Sequence, residues 1–351
     1  MTTLKLILIN FSLLFILCEL MLRFAWQSPY VPSYDEAYFH EPNQSVSFKN
    51  VSKIYGDTDV VYFRTDSYGA IVGPEKTKNI LLNDEYAIAL GGSTTECALV
   101  TENKRWPDLL KTPTINFGKS RLNSSHTLKN LSFVLENYQM EPKFIFIMDG
   151  VNNLSAYLSS GPEGLFNQNP KGFYRLALTH SYTLALIWNS IKSNDYFSFY
   201  KAQVSLNNQI PFIQEKELKE YWNNEKNSIL NSQVKVFKKF KETINNKLSK
   251  IVILTQPHAF EENHIPIKTE LRSTPIINNK RLSFKQAKWL MDSYNEMTAK
   301  AAMLSNLLLI DVSLCFQKID SSSFFYDAYH FTEKGSEYFA KCLANKLSFT
   351  K

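Results

Sequence analysis

Residues 86–96 read YAIALGGSTTE: an apolar run from Tyr86 to Leu90 ends in Gly91-Gly92-Ser93 and passes into a Thr-rich helix start. A short, continuous apolar run bounded by turn residues marks a strand buried on both faces, and two glycines let the backbone turn sharply at its end. Ligands of open α/β sheets bind at such carboxyl ends. Ser93 at the start of a helix points its backbone N–H toward any negative charge that develops beside it. Gly-Ser-Thr after a strand is also an ordinary turn and helix cap, so this segment alone leaves both readings open.

The strand-then-helix rhythm continues outward. Apolar runs at Thr114 to Phe117, Phe144 to Met148, Ile251 to Gln256 and Leu307 to Asp311 predict further strands. Spacing and end signals predict helices over Thr94 to Lys111, Thr127 to Tyr138, Glu217 to Leu248, Lys285 to Leu304 and Thr332 to Leu347. The alternation predicts an α/β fold, three layers deep, around a five-stranded parallel sheet. Between the third and fourth strands the aromatic-rich stretch 154–222 is an insertion, expected to add helices beside the site and to set substrate choice.

The chain has 351 residues, 44% hydrophobic and 21% charged, which is enough apolar material for a sizeable core and excludes disorder as the default. The net charge of +6 is spread among acids, so nucleic acid is not an expected partner. The densest basic stretch, Lys235 to Lys250, has apolar residues at helical spacing and reads as a solvated helix face. Cys18, Cys97, Cys315 and Cys342 are far apart without a C-x-x-C spacing, so neither a zinc site nor a disulfide framework is signalled. Cys97 reads as a small buried side chain. No metal or cofactor is expected, and no P-loop or dinucleotide fingerprint is present.

The N-terminal stretch Leu6 to Leu22 is apolar apart from Asn10, Ser12 and Glu19, and up to Trp26 it approaches the ~20 residues a helix needs to span ~30 Å of hydrocarbon. A single N-terminal transmembrane helix over 1–26, inserted in a lipid bilayer, is the expectation. Glu19, Arg23 and Trp26 would sit at the interface. A cleaved signal peptide is the competing view, but no small-x-small site follows, and Leu17 before Cys18 spoils a lipoprotein cleavage site. Lys5 and Arg23 flank the run almost evenly, so charge does not set orientation. Residues 27–80, rich in Pro, Ser, Asn and Tyr, are expected to form an extended connector packed on a catalytic domain at 81–351.

Three further segments carry candidate chemistry. NFGKS puts Asn116 and Gly118 at the end of the second strand, and FIFIMDGVNNL puts Gly150, Asn152 and Asn153 after the third. An unhindered glycine N–H and an asparagine amide are the donors an oxyanion hole needs, although both residues also serve ordinary turns. FFYDAYHFTEKG places Asp327 three residues before His330, a spacing that lets the carboxylate hold one ring nitrogen while the other exchanges a proton with a serine. Of the six histidines (His40, His126, His180, His258, His264, His330), only His264 also has an acid three residues earlier, Glu261. Spacing alone does not choose between His264 and His330.

Taken together, the four segments resemble the SGNH/GDSL hydrolase superfamily, whose blocks appear in this order: Gly-Asp-Ser, an isolated Gly, Gly-x-Asn-Asp and a C-terminal Asp-x-x-His. The resemblance covers Tyr86 to Leu347, with the insertion unmatched. It implies a flavodoxin-like sheet, Ser93 as nucleophile, His330 as base oriented by Asp327, and an oxyanion hole of Ser93 N–H, Gly118 N–H and the Asn152 amide. Gly92 replaces the usual Asp before Ser, and Asn153 replaces the Asp of the third block. The Gly-Gly-Ser-Thr-Thr form, with Phe63 to Gly69 (FRTDSYG), is similar to a membrane-anchored bacterial subgroup. The Gly-x-Ser-x-Gly elbow is absent, since Thr95 stands at its second glycine.

The function that follows is ester chemistry on an O-acylated, in the first instance O-acetylated, envelope glycan or lipid, on the extracytoplasmic side of a bacterial membrane. The acyl group would pass through Ser93 to water, making an esterase, or to a sugar hydroxyl, making a transferase. From another class, a catalytically silent subunit would use the fold to hold a glycan or an assembly partner. Asn153-Leu-Ser beside the site is a glycosylation sequon that a bacterial chain would not use.

Overall fold

The computed structural model describes residues 3–25, 39–40, 42–50, 58–71, 76–83, 85–165, 183, 210–244, 248–260, 275–317 and 323–348. Residues 1–36 with 168–199 form one compact unit, and 37–167 with 200–351 form the other. In the first unit the helix α1 (Thr3–Ala25) forms where the apolar N-terminal run predicts one. Among the described residues no helix is long and apolar enough to cross a membrane.

The second unit begins with part of the presumed connector, which folds rather than merely lying extended. β1 (Ser45–Lys49) and β2 (Val60–Arg64) pair antiparallel, Val61 and Phe63 facing inward and Tyr62 outward. Ile71 then bridges to Asn116, covering the edge of the main sheet. A short helix, α2 (Lys76–Leu81), leads into that sheet.

The sheet is built from β3 (Ala87–Gly91), β4 (Thr114–Asn116), β5 (Phe144–Met148), β6 (Lys250–Leu254) and β9 (Leu308–Ile310), within one or two residues of each predicted strand. All neighbours are parallel, in the order β4-β3-β5-β6-β9. The small hairpin of β7 (Ile276–Ile277) and β8 (Lys280–Arg281) lies outside it. Numbered within the sheet, the order is 2-1-3-4-5, the doubly wound arrangement whose switch point lies between its first and third strands.

Period-two alternation decides what each face buries. Ile88, Leu90, Ile145, Ile147, Ile251 and Ile253 point one way, into Leu131 and Val134 of α4 (Ser124–Asn137) and Phe237 and Phe240 of α6 (Glu215–Thr243). Ala87, Ala89, Phe146, Met148, Val252 and Leu254 point the other way, onto Trp106 and onto Phe339 and Leu343 of α8 (Glu333–Ser348). A third cluster joins α5 (Gly150–Ser160), the start of α6 and α7 (Phe284–Leu304) around Leu154, Trp222 and Leu290. The ends of the insertion pack here through Leu165 and Ile213, while 166–182 and 184–209 lie outside the described residues. On α6, Lys235, Lys238, Lys239 and Lys241 are exposed opposite Val236, Phe237 and Phe240, the solvated face read from the sequence.

The helix expected over Thr94 to Lys111 is corrected to four residues, α3 (Ser93–Glu96). Cys97 turns left-handed at φ 49°, and Trp106–Leu109 is a separate 3₁₀ turn with Pro107 in its first positions. Side chains cap the abandoned carbonyls: Trp106 Nε1 donates to Thr94 O at 3.1 Å, and the fully buried Arg105 donates to Cys97 O at 3.2 Å. A disulfide joins Cys315 to Cys342, which the cysteine spacing had not signalled. Such a pairing is set by chain folding, not by local sequence.

Candidate active site

Three strand ends meet at the carboxyl rim of the sheet. β3 ends at Gly91, whose φ of +150° belongs to glycine, and a Cβ there would strike Met148 O and Thr95 Oγ1. Ser93 follows as the first residue of α3, where its N–H has no intrahelical acceptor. β4 ends at Asn116 and leads to Gly118. β5 ends at Met148 and runs through Asp149 into α5, which carries Asn152 and Asn153.

The fourth contributor is the loop before α8. Asp327 Oδ1 accepts from the backbone N–H of Tyr329 at 2.9 Å and of His330 at 2.8 Å, so the aspartate folds its own loop around itself. Its other oxygen, Oδ2, lies 2.7 Å from His330 Nδ1, and His330 Nε2 lies 2.7 Å from Ser93 Oγ. With Nδ1–H donated to Asp327, Nε2 carries the lone pair that accepts the Ser93 hydroxyl. Asp327 is buried, whereas the His330 side chain remains 24% exposed and Ser93 is half-buried, so a solute can reach the hydroxyl. Tyr326 stacks on the His330 ring with centroids 5.5 Å apart and planes 11° off parallel. Burial pushes the His330 pKa down, but the charge and hydrogen bond of Asp327, with the charge of Glu96 behind them, outweigh it and raise it above the ordinary value.

The oxyanion donors divide. Asn152 spends one amide hydrogen on Leu122 O at 2.7 Å, and its nitrogen lies so close to Gly92 that a Cβ there would fall on it. That amide therefore lies against the residue that precedes Ser93. Gly118 differs from expectation: its N–H donates to Asn116 Oδ1 at 2.9 Å, because the Asn116 side chain folds back to bridge Gly118 and Thr95 O. The sequence departures have local causes. Gly92 leaves room for the Asn152 amide, which a Cβ there would displace. Asn153 accepts from Ser124 N–H at 2.9 Å and donates to Ser124 Oγ at 2.7 Å, stitching α5 to the head of α4.

The other histidines serve elsewhere. His126 closes the capping box of α4 with Asn123, and burial pushes its pKa down to about 4. His258 Nε2 lies 3.0 Å from Asp292 Oδ1 and its Nδ1 accepts from Phe260 N–H. His180, Glu261 and His264 lie outside the described residues. Burial pushes the Cys97 thiol up to about 12, which makes it an inert core group. Two residues were not singled out from the sequence: Glu96, buried one turn after Ser93, and His40, whose Nε2 lies 3.0 Å from Glu96 Oε1. Glu96 stood inside the first motif, but nothing near His40 points to it. No group of His, Cys, Asp and Glu suited to a metal occurs among the described residues.

The sheet order defines a doubly wound α/β protein that carries a hydrogen-bonded serine, histidine and aspartate at the carboxyl rim of its sheet. No family model matches the sequence, and no curated protein matches it. Several solved structures resemble it in fold. One is an alpha/beta hydrolase from the metagenome of Lake Arreo, Spain, at 12% identity and TM-score 0.40, covering 78% of this chain and 99% of that one. Another is an acetylxylan esterase from Geobacillus stearothermophilus, at 14% identity and TM-score 0.39, covering 77% and 96%. A third, from Desulfitobacterium hafniense and described as lipolytic and of the G-D-S-L family, stands at 10% identity and TM-score 0.41, covering 75% and 99%. At these scores the likeness adds nothing to what the chain's own side chains say.

Proposed function

We propose that this protein performs acyl-ester chemistry through Ser93, and the observation that carries the proposal is the unbroken chain Ser93 Oγ, His330 and Asp327 with both links at 2.7 Å. Ser93 Oγ attacks the acyl carbonyl carbon while His330 Nε2 takes its proton. The oxyanion is held by the Ser93 N–H and the remaining amide hydrogen of Asn152, one such donor being worth on the order of 100- to 1,000-fold in rate. Collapse expels the alcohol, which leaves with the proton from His330, and the acyl group stays on Ser93. Water or a sugar hydroxyl then repeats the sequence in reverse and frees the serine.

The substrate in this proposal is an O-acylated envelope glycan or lipid, with O-acetyl as the acyl group, and the motif order of the chain supports it. The N-terminal helix takes the part of a membrane anchor, with the second unit on the extracytoplasmic side. Its support is the exposure of Phe11, Leu13, Leu14, Leu17 and Met21 along α1. Recovery of the full chain in the carbonate-washed membrane fraction, and its loss from that fraction when 1–26 is deleted, tests the anchor.

A silent subunit is the second reading, favoured by one observation: the Gly118 N–H is engaged by Asn116, which leaves the oxyanion two donors in place of three. Labelling by a fluorophosphonate probe decides between them. Labelling lost in Ser93→Ala supports the enzyme, and absence of both labelling and aryl-acetate hydrolysis sinks it. Partition of a released acetyl group between water and an added sugar acceptor separates esterase from transferase.

A further inference from the structure

His40 belongs to the stretch read from sequence as a connector, yet it is fixed beneath the nucleophile. Its Nε2 lies 3.0 Å from Glu96 Oε1 and 3.2 Å from Gly118 O, both acceptors, so Nε2 must carry a hydrogen and share it between them. Lys119 Nζ donates to Phe39 O at 2.5 Å, and the Phe39 ring packs on Phe117 with centroids 4.9 Å apart. The stretch 39–40 therefore grips the loop after β4 from below.

Glu96 is the other half of the arrangement. It is buried, its N–H donates to Gly92 O at 3.0 Å, and its Oε2 accepts the Ser120 hydroxyl. Asn116 closes the circuit by donating to Thr95 O at 2.9 Å and accepting from Gly118 N–H. The turn that carries Ser93 and the loop that carries Gly118 are thus tied twice, by Asn116 and by the His40–Glu96 pair. A Cβ on Gly118 would press on Glu96 N, which shows how little slack separates the two.

We infer that His40 and Glu96 are a positioning pair for Ser93: they hold the nucleophile turn against the loop after β4, and loss of the pair slows acyl transfer without weakening substrate binding. The inference rests on the proposed function, since it needs Ser93 to turn over. A buried carboxylate without a partner is unfavourable, so a single change unbalances the pair and lets the turn shift. A misplacement of about 1 Å remote from the chemistry costs up to about 100-fold in rate.

A purely structural contact would leave one property untouched. The charged groups facing His330 are Asp327 on its own loop and Glu96 from α3, and the titratable groups facing Glu96 are His330, His40, the Cys97 thiol and the buried Arg105. Burial pushes the Glu96 pKa up, but His40 and Ser120 outweigh it and hold it below the ordinary value, so its charge persists near neutrality and favours the His330 imidazolium.

The experiment compares the full-length wild type with His40→Ala, His40→Gln and Glu96→Gln, using aryl-acetate hydrolysis across pH with thermal melting as a folding control. Expected are a kcat lowered about 10- to 100-fold in His40→Ala with KM within about twofold, and partial recovery in His40→Gln, which restores an N–H donor. In Glu96→Gln, the acid limb of kcat/KM should move to lower pH. Wild-type kcat in a folded His40→Ala, or an unmoved acid limb in a folded Glu96→Gln, overturns the inference while leaving the proposed function standing. If His40→Ala does not fold, the Glu96→Gln limb alone decides. A wild type without Ser93-dependent turnover overturns both.

Discussion

A Cβ built on Gly92 would lie inside the van der Waals envelope of the side-chain amide nitrogen of Asn152. The residue before the nucleophile and the proposed oxyanion donor therefore compete for one volume, and glycine cedes it. Gly92→Ala should push the amide out of register and lower kcat on an aryl acetate by about 100-fold, with KM little changed, because the lost contact is made to the oxyanion. Asn152→Ala should reach a similar rate, and the double variant should be scarcely worse than either alone. Additive losses in that cycle would separate the two residues.

His330 is held above the ordinary histidine pKa, so it is protonated, and useless as a base, over a wider acidic range. Activity should fall as pH drops through that raised value, placing the acid limb of kcat/KM above the ~6.5 of an unperturbed imidazole. Asp327→Asn removes the largest favourable contribution, so the limb should move down while the rate falls by roughly 10,000-fold through loss of tautomer control. A limb that stays in place would mean that it reports another group.

Asp149, buried where β5 meets α5, accepts from Ser124 Oγ at 3.0 Å and Thr127 Oγ1 at 2.9 Å, yet burial raises its pKa from 3.8 to about 7. A carboxyl that binds its proton more tightly when folded favours folding below the unfolded pKa, and that advantage is lost as pH rises toward the folded value. At about 1.4 kcal/mol per pKa unit, the charged form costs up to ~4 kcal/mol. Melting temperatures of wild type and Asp149→Asn should therefore diverge from pH 4 to 7, the variant gaining relative to the wild type. Parallel curves would show that the buried carboxyl is not the source.

The disulfide from Cys315 to Cys342 spans 27 residues and encloses both Asp327 and His330. Cross-links of this kind stabilise by about 3 kcal/mol, largely by restricting the unfolded chain. Paired Cys315→Ser and Cys342→Ser changes should lower the melting temperature, and reductant should lower it in the wild type but not in the variant. An equal response in both would place the effect elsewhere.

Much of this architecture was legible because its causes are local. AIAL, FIFIM and IVIL are continuous apolar runs, and only a strand covered on both faces hides them. Asp327 and His330 are three residues apart, so the backbone itself carries the imidazole to the carboxylate. The helix expected after Ser93 failed for a non-local reason: the carbonyls of Thr94 and Cys97 are taken by the side chains of Trp106 and Arg105.

What the sequence determined alone is the set of short-range commitments: the strands, the glycines at their ends and the Asp-x-x-His loop. Tertiary structure decided which distant groups meet. Ser93 lies 237 positions before His330, and His40 lies 78 before Gly118. Contacts of this kind leave no period in the chain, because the sheet brings them together only after its strands have paired.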